Sequence, residues 1–484
     1  MRKLLSQRRR GRREKLFNAS LCALCASARN RLLPARRRHS HKQQRRNRRM
    51  LGLRRLRGTP VTSRPAIQRH EVFAVAVSFA YFFFVLAAYY VIRPVRDQLS
   101  AAVGSTALPI FYAATFVATL ALAPLFGALV ARFPRRRFVP IVYLFFIAGM
   151  VAFIPLFNAQ DSIDARLLGS AFFVYGSVFN LFVVSVFWSF MADLFDPAQA
   201  RRLFPIIALG GAVGAIVGPA LTKALVFVIG VSGLLVVSAA LLGCSIACIF
   251  ALSRWSRSHP VAGDERRNER VIGGSFLAGA VETVKSPLMR RVALLMLLGD
   301  AVGTVIYALL TDYSGATYAT REARTDFAAG IDLCANLLQA ALQLTVTRAL
   351  MVRAGPAPAL ALDGAVKAVM LAGLAVFSGA WIAIVAVVTR ASAYGVFKPA
   401  FDSLYTQVDA ETRYKTKNFI DTSVWRFGDL VITSGFNGLR ALGMTLPGFA
   451  ALAILAAGCS GWVGWKAARS LGDDPAEKPR PADA

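Results

Sequence analysis

Twelve stretches of predominantly apolar residues, each close to the length of a membrane-spanning helix, recur along the chain at 72–92, 106–131, 138–157, 167–192, 204–229, 231–252, 290–311, 327–350, 358–378, 380–400, 417–439 and 446–466. The hydrocarbon core of a bilayer is about 30 Å thick, so about 20 apolar residues in a helix cross it once. Within lipid, only helices and closed barrels satisfy their own backbone hydrogen bonds, and runs of this length point to helices. The expected fold class is therefore an all-α membrane protein with 12 transmembrane helices. Composition agrees: 56% of the 484 residues are hydrophobic and 17% are charged, where a soluble globular chain carries about 25% charged residues.

The spacing of the runs divides the chain into two six-helix halves, 70–252 and 290–468, joined by a polar linker loop at 253–289. Two such halves around a central loop resemble the major-facilitator architecture, in which the substrate sits between the halves. Residues 1–69 are expected to form a basic disordered tail, and 469–484 a second disordered tail. The positive-inside rule then sets the orientation. With both termini cytoplasmic, the inside segments beyond residue 69 carry 23 Lys and Arg and the outside segments carry six: Arg93, Arg96, Arg166, Arg321, Arg324 and Arg440. Five cations, Lys223, Lys367, Arg390, Lys398 and Arg426, fall within the spans. The expected location is a bacterial inner membrane, with the lipid bilayer as partner and a monomer as the default state.

The formal charge of +31 is mostly a property of the tail, which holds 23 of the 57 Lys and Arg and a single acid, Glu14. Three readings of that tail stand side by side: a polybasic arm on anionic lipid, a nucleic-acid-binding segment acting by counterion release, or a stretch upstream of the true start, for example Met50. The last, or an inert tail, is preferred, because Arg outnumbers Lys 46 to 11 in the chain, as expected from a GC-rich gene, where spurious upstream reading frames tend to be Arg-rich. No nucleic-acid partner is expected. Cys22 and Cys25 form an isolated C-x-x-C without a second pair at ligand spacing, and the four histidines lie outside the apolar runs, so no metal or cofactor is expected. Walker, G-x-S-x-G, H-E-x-x-H and kinase patterns are absent, which argues against an enzyme or an ATP-driven motor.

Candidate function rests on charges that an apolar run does not ordinarily tolerate. In Tyr89-Tyr90-Val-Ile-Arg93-Pro94-Val-Arg96-Asp97 the proline disfavours helix at the residue before it, so a break is expected there. Broken, charge-lined helices build carrier sites, although two arginines at a helix end also snorkel to the interface. The second half repeats the cation–proline pattern in Lys398-Pro399-Ala-Phe401-Asp402. Asp421, Trp425 and Asp429 recur every four residues and, with Arg426, are expected to form a polar, pore-facing stripe on the eleventh span. Asp363 and Lys367, four apart, read as a structural ion pair. Gly210, Gly214 and Gly218 form a small-residue packing face on the fifth span.

Three blocks resemble the ATP/ADP translocase-like nucleotide transporters of intracellular bacteria and plastids, a divergent relative of the major facilitators. They are YYVIRPVRD (89–97), FWSFMADLFDPAQARRLFPIIALGGAVGAIVGP (187–219) and YGVFKPAFDSLYTQVDAETRYKTKNFIDTSVWRFGD (394–429). In the first block Arg93 matches the family's Arg, Arg96 its Lys and Asp97 its second Asp, while Pro94 replaces the first Asp. In the third, Lys398 stands where the family has an acid and Phe401 where it has a base. The resemblance implies a secondary transporter for a small anionic solute, nucleotides first among them, with Arg93, Arg96, Asp97, Lys398, Asp402, Asp421, Trp425, Arg426 and Asp429 at the substrate. The rearranged charges speak against strict ATP/ADP exchange. The alternatives are a proton-coupled carrier or efflux pump for an unrelated molecule, and a non-transporting membrane sensor or assembly protein.

Overall fold

The computed structural model of the chain describes residues 67–132, 135–159, 162–258, 276–377, 379–405, 408, 416–417 and 419–470. The basic tail through residue 66, the middle of the linker loop and the C-terminal tail from 471 lie outside the described residues. So does the C-x-x-C.

Among the described residues twelve long helices follow one another and there is no strand. In the first half these are α1 (Val72–Val103), α2 (Leu108–Arg132), α3 (Arg135–Asn158) and α4 (Ala165–Leu194). Next come α5 (197–229) and α6 (231–258), which form one continuous run parted at Gly230, where φ is +69°. Only glycine takes that conformation without strain, and it turns the chain back between two spans without a loop. The second half comprises α7 (Pro287–Thr317), α8 (Arg321–Ala354), α9 (Pro356–Val376), α10 (Trp381–Leu404), α11 (Ile420–Val424 continued by Trp425–Ala441) and α12 (Leu446–Ser470). A short helix, Phe276–Lys285, leads into α7.

Local sequence sets several of these boundaries. Asp164 caps α4 by accepting from the N–H groups of Arg166 and Leu167, and Ser286 caps α7 with Pro287 in the first turn. By length and apolarity alone ten helices among the described residues qualify as membrane spans: α5 and α6 count as one, and α11, with Asp421, Arg426, Asp429 and Arg440, falls short.

The helix core is held by close approach rather than by apolar contrast, as expected where lipid is as apolar as the side chains. A Cβ added to Gly210 would lie 2.3 Å from the Phe79 carbonyl oxygen, and one on Gly214 would lie 2.4 Å from that of Phe83. At Gly218 it would lie 2.7 Å from Tyr90 Cβ, so the glycine face of α5 lets α1 approach to backbone contact. The second half does the same between α9 and α12, where a Cβ on Gly364 would lie 2.7 Å from the Ala457 carbonyl oxygen. Tyr81 and Tyr143, both fully buried, satisfy each other through a 2.7 Å hydroxyl contact, and Tyr143 donates onward to the Val183 carbonyl.

One expectation is corrected. The chain does not break at Pro94: α1 continues as helix to Val103 with Pro94 buried inside it. Proline removes one backbone donor, which costs an isolated helix about 3 kcal/mol, but here packing on α5, α4 and α8 fixes the path. Arg93 and Arg96 consequently lie within a span rather than in an outside loop.

Candidate substrate-binding cavity

A cavity of about 540 Å³ opens between the two halves. The first half lines it from α1, α2 and α4, with Tyr89, Tyr90, Arg93, Arg96, Tyr112 and Asn180, and the second from α7, α9, α10 and α11. Six cations reach its wall, Arg93, Arg96, Lys367, Arg390, Lys398 and Arg426, against two carboxylates, Asp300 and Asp429. Aromatic faces brace them: the Arg96 guanidinium lies 4.7 Å from the Phe173 ring centre, Arg93 5.6 Å from Tyr90 and Arg426 5.7 Å from Trp425. Among the described residues no group of His, Cys, Asp or Glu has the arrangement to hold a metal ion.

Each cation is tethered by acids, with differing closeness. Arg96 forks onto Asp97 Oδ1 at 3.0 and 2.8 Å, and that oxygen also accepts from Tyr307 of α7 at 2.9 Å. Asp332 of α8 accepts from Arg390 and lies 3.6 Å from Arg93 Nε. Lys367 pairs with Asp363 at 2.8 Å, and Ser392 donates to the same carboxylate, so the i,i+4 pair expected from the sequence is present. The pair nevertheless presents the lysine to the cavity. Arg426 is 3.5 Å from Asp429, which also accepts from Thr304 at 3.1 Å, while Asp300 Oδ2 is buried without a hydrogen-bond partner.

The residues singled out from the sequence separate into three places. Arg93, Arg96, Lys398, Trp425, Arg426 and Asp429 line the main cavity. Asp97 lines a second, smaller cavity of about 20 Å³ together with Tyr307, Asp332 and Arg390. Asp402 and Asp421 lie outside both linings and form an alternating cluster with Lys398 and Lys417, at 3.2 Å for Lys398–Asp402 and 3.2 Å for Lys417–Asp421. The even stripe of Asp421, Trp425 and Asp429 is not maintained, because the turn Ile420–Val424 is a wider π-turn that rotates Asp421 out of register. Sequence reasoning left Asp300, Asp332, Tyr307 and Arg390 out of the site. Arg390, one of five cations within spans, and Asp300 and Asp332, acids within apolar runs, had a signal, but Tyr307 acquires its meaning only from Asp97 across the interface.

At the end of the bundle bearing the α1–α2 turn, the halves are joined by polar contacts. Asp312 of α7 accepts from the Ser105 N–H and hydroxyl, both at 2.8 Å, and pairs with Arg440 of α11 at 2.7 Å. Asn437 donates to the Ser105 carbonyl at 3.2 Å. Further along the interface Lys223 of α5 pairs with Asp326 of α8 at 2.6 Å, and Asn336 donates to the Ala215 carbonyl. At the opposite end, the pair Arg202–Glu71, at 2.7 Å, stays within the first half.

Twelve helices in two six-helix halves around a central cavity have the architecture of the major-facilitator fold. The family model described as the Major Facilitator Superfamily matches residues 16–204, less than half of the chain. A bacterial homologue of the iron transporter ferroportin, in an inward-facing state, superposes with a TM-score of 0.58 at 14% identity, covering 84% of this chain and 99% of that one. The nucleoside transporter NupG gives 0.55 at 12% identity, covering 84% and 100%. The E. coli fucose:proton symporter FucP gives 0.52 at 15% identity, covering 84% and 100%. No curated protein matches the sequence.

Proposed function

We propose that this chain is a secondary carrier that moves a small anionic solute, a phosphate-bearing one such as a nucleotide, across the membrane by alternating access. The observation that carries the reading is the cavity itself: six cations from both halves face a space of about 540 Å³, within the usual range for small-molecule sites of about 300–1,000 Å³. A buried cation in a membrane is costly and faces a cavity or an anion. Arginine grips phosphate bidentately, and Tyr89, Tyr90 and Trp425 offer flat faces to a base or sugar. The likeness of 89–97, 187–219 and 394–429 to nucleotide transporters supports the same solute class, with Arg93, Arg96 and Arg426 as its anchors. Asp97 and Asp429 position those cations, Lys398 faces the cavity, and Asp402 and Asp421 hold Lys398 and Lys417 beside it. The Lys and Arg distribution supports an inner-membrane carrier with both termini cytoplasmic, closed in this conformation on its outer side by the Ser105–Asp312–Arg440 contacts.

A second reading has one observation in its favour: Asp300 and Asp429 share the wall, and Asp300 Oδ2 is buried without a hydrogen-bond partner. A carrier coupled to protons would use such a pair.

Thermal unfolding of the purified chain against a panel of solutes tests the assignment, since a ligand at 100 times its Kd stabilises by about 2.7 kcal/mol. Nucleotides and other phosphate-bearing anions are expected to raise the melting temperature, and uncharged nucleosides or sugars to leave it unchanged. A panel in which no anion stabilises the protein would overturn the reading.

A further inference from the structure

We propose that Asp332 is a resident counter-anion: in the empty cavity it occupies the two arginines, Arg93 and Arg390, that take the solute's anionic group. The inference rests on the anion-carrier reading and adds to it a competitor built into the protein.

The placement carries the argument. Arg93 comes from the first half on α1, while Asp332 and Arg390 come from the second half on α8 and α10. Both guanidiniums line the cavity, whereas Asp332 is 1% exposed and lies behind them. The carboxylate is divided unequally. Its Oδ1 accepts from Arg390, but its Oδ2 lies 3.6 Å from Arg93 Nε, and both of those atoms are buried with no hydrogen-bond partner. A buried guanidinium N–H without an acceptor is costly, so Asp332 holds Arg93 loosely, and the Arg93 side chain, part of the cavity wall, is free to turn towards a solute oxygen. Around this point Arg93, Arg96 and Arg390 face Asp97 and Asp332, three guanidiniums against two carboxylates, so one positive charge is in excess.

Those features together define a site of tuned affinity. Without Asp332, two arginines would stand bare inside the membrane and would hold an anion too tightly to release it. With a third carboxylate the cluster would have no charge left for a solute. Because Arg93 and Arg390 belong to different halves, exchanging Asp332 for a solute also changes what links the halves: a direct Arg93–Asp332 contact is replaced by Arg93–solute–Arg390.

Equilibrium binding of radiolabelled ADP to the full chain in lipid nanodiscs tests this. Asp332→Asn is expected to bind ADP about tenfold more tightly than the wild type, because a competing charge is gone. Arg390→Gln, which leaves two guanidiniums against two carboxylates, is expected to bind about tenfold more weakly. Adding Asp332→Asn to Arg390→Gln restores the excess charge and is expected to return affinity to within about threefold of wild type. The double variant also serves if Asp332→Asn alone fails to fold, since it removes the pair together. Binding by the wild type that Asp332→Asn leaves unchanged or weakens, or a double variant no better than Arg390→Gln, overturns the counter-anion. Absence of ADP binding by the wild type and Asp332→Asn alike overturns the nucleotide-carrier reading and this proposal with it.

Discussion

Replacing Asp312 by alanine should unfasten the end of the interface that bears the α1–α2 turn. The carboxylate accepts from the Ser105 N–H and hydroxyl at 2.8 Å each and from Arg440 at 2.7 Å. The ion pair is half in water, Arg440 being 49% exposed, so it contributes little, about 0–1 kcal/mol. The two Ser105 bonds contribute about 1 kcal/mol each, since water replaces them on opening. The sum is about 2 kcal/mol, which is roughly a thirtyfold rise in the ratio of open to closed at this end. Pulsed electron–electron resonance between spin labels introduced at Thr106 and Leu442, one on each half and both exposed, reads that ratio directly. The wild type should give chiefly the short separation, and Asp312→Ala a second, longer population. A distance distribution that Asp312→Ala leaves unaltered would refute the claim that these contacts close this end.

Three further outcomes follow from the packing and the charges. Gly214→Val would drive side-chain atoms into the Phe83 carbonyl of α1, already 2.4 Å from a bare Cβ, and should destabilise the protein by about 1–3 kcal/mol or more, seen as a lower melting temperature in detergent. Lys367→Met would leave Asp363, fully buried, without its counter-charge and should cost about 3–5 kcal/mol, while Asp363→Leu with Lys367→Met together should recover most of that loss in the same melt. Arg93→Ala should abolish solute uptake while membrane expression is retained; unchanged uptake would return Arg93 to a structural role.

Much of the fold was legible because membrane spans announce themselves in apolar length. Even the division of α5 from α6 was readable, at the single Gly230 between two apolar runs. α11 was legible only through its place in the pattern, for its charges remove it from the set of helices that qualify by apolarity. Local rules misjudged α1 at Pro94, because a proline penalty of a few kcal/mol is outweighed by the packing of a long helix against its neighbours. Four cations of the cavity, Lys367, Arg390, Lys398 and Arg426, were visible as anomalies in apolar runs, whereas Arg93 and Arg96 read as belonging to an outside loop. The pairing was not visible: Arg93 meets Asp332 and Asp97 meets Tyr307 across more than 200 residues of chain. The even four-residue spacing of Asp421, Trp425 and Asp429 was likewise overridden by a π-turn whose extra residue no propensity rule places there.

Uptake of radiolabelled ADP into liposomes containing the purified protein tests the central claim most directly, with and without unlabelled nucleotide inside. An exchanging carrier predicts uptake that rises with internal nucleotide and disappears in Arg93→Ala. No uptake under either loading, by protein shown to be folded, would contradict the nucleotide-carrier account.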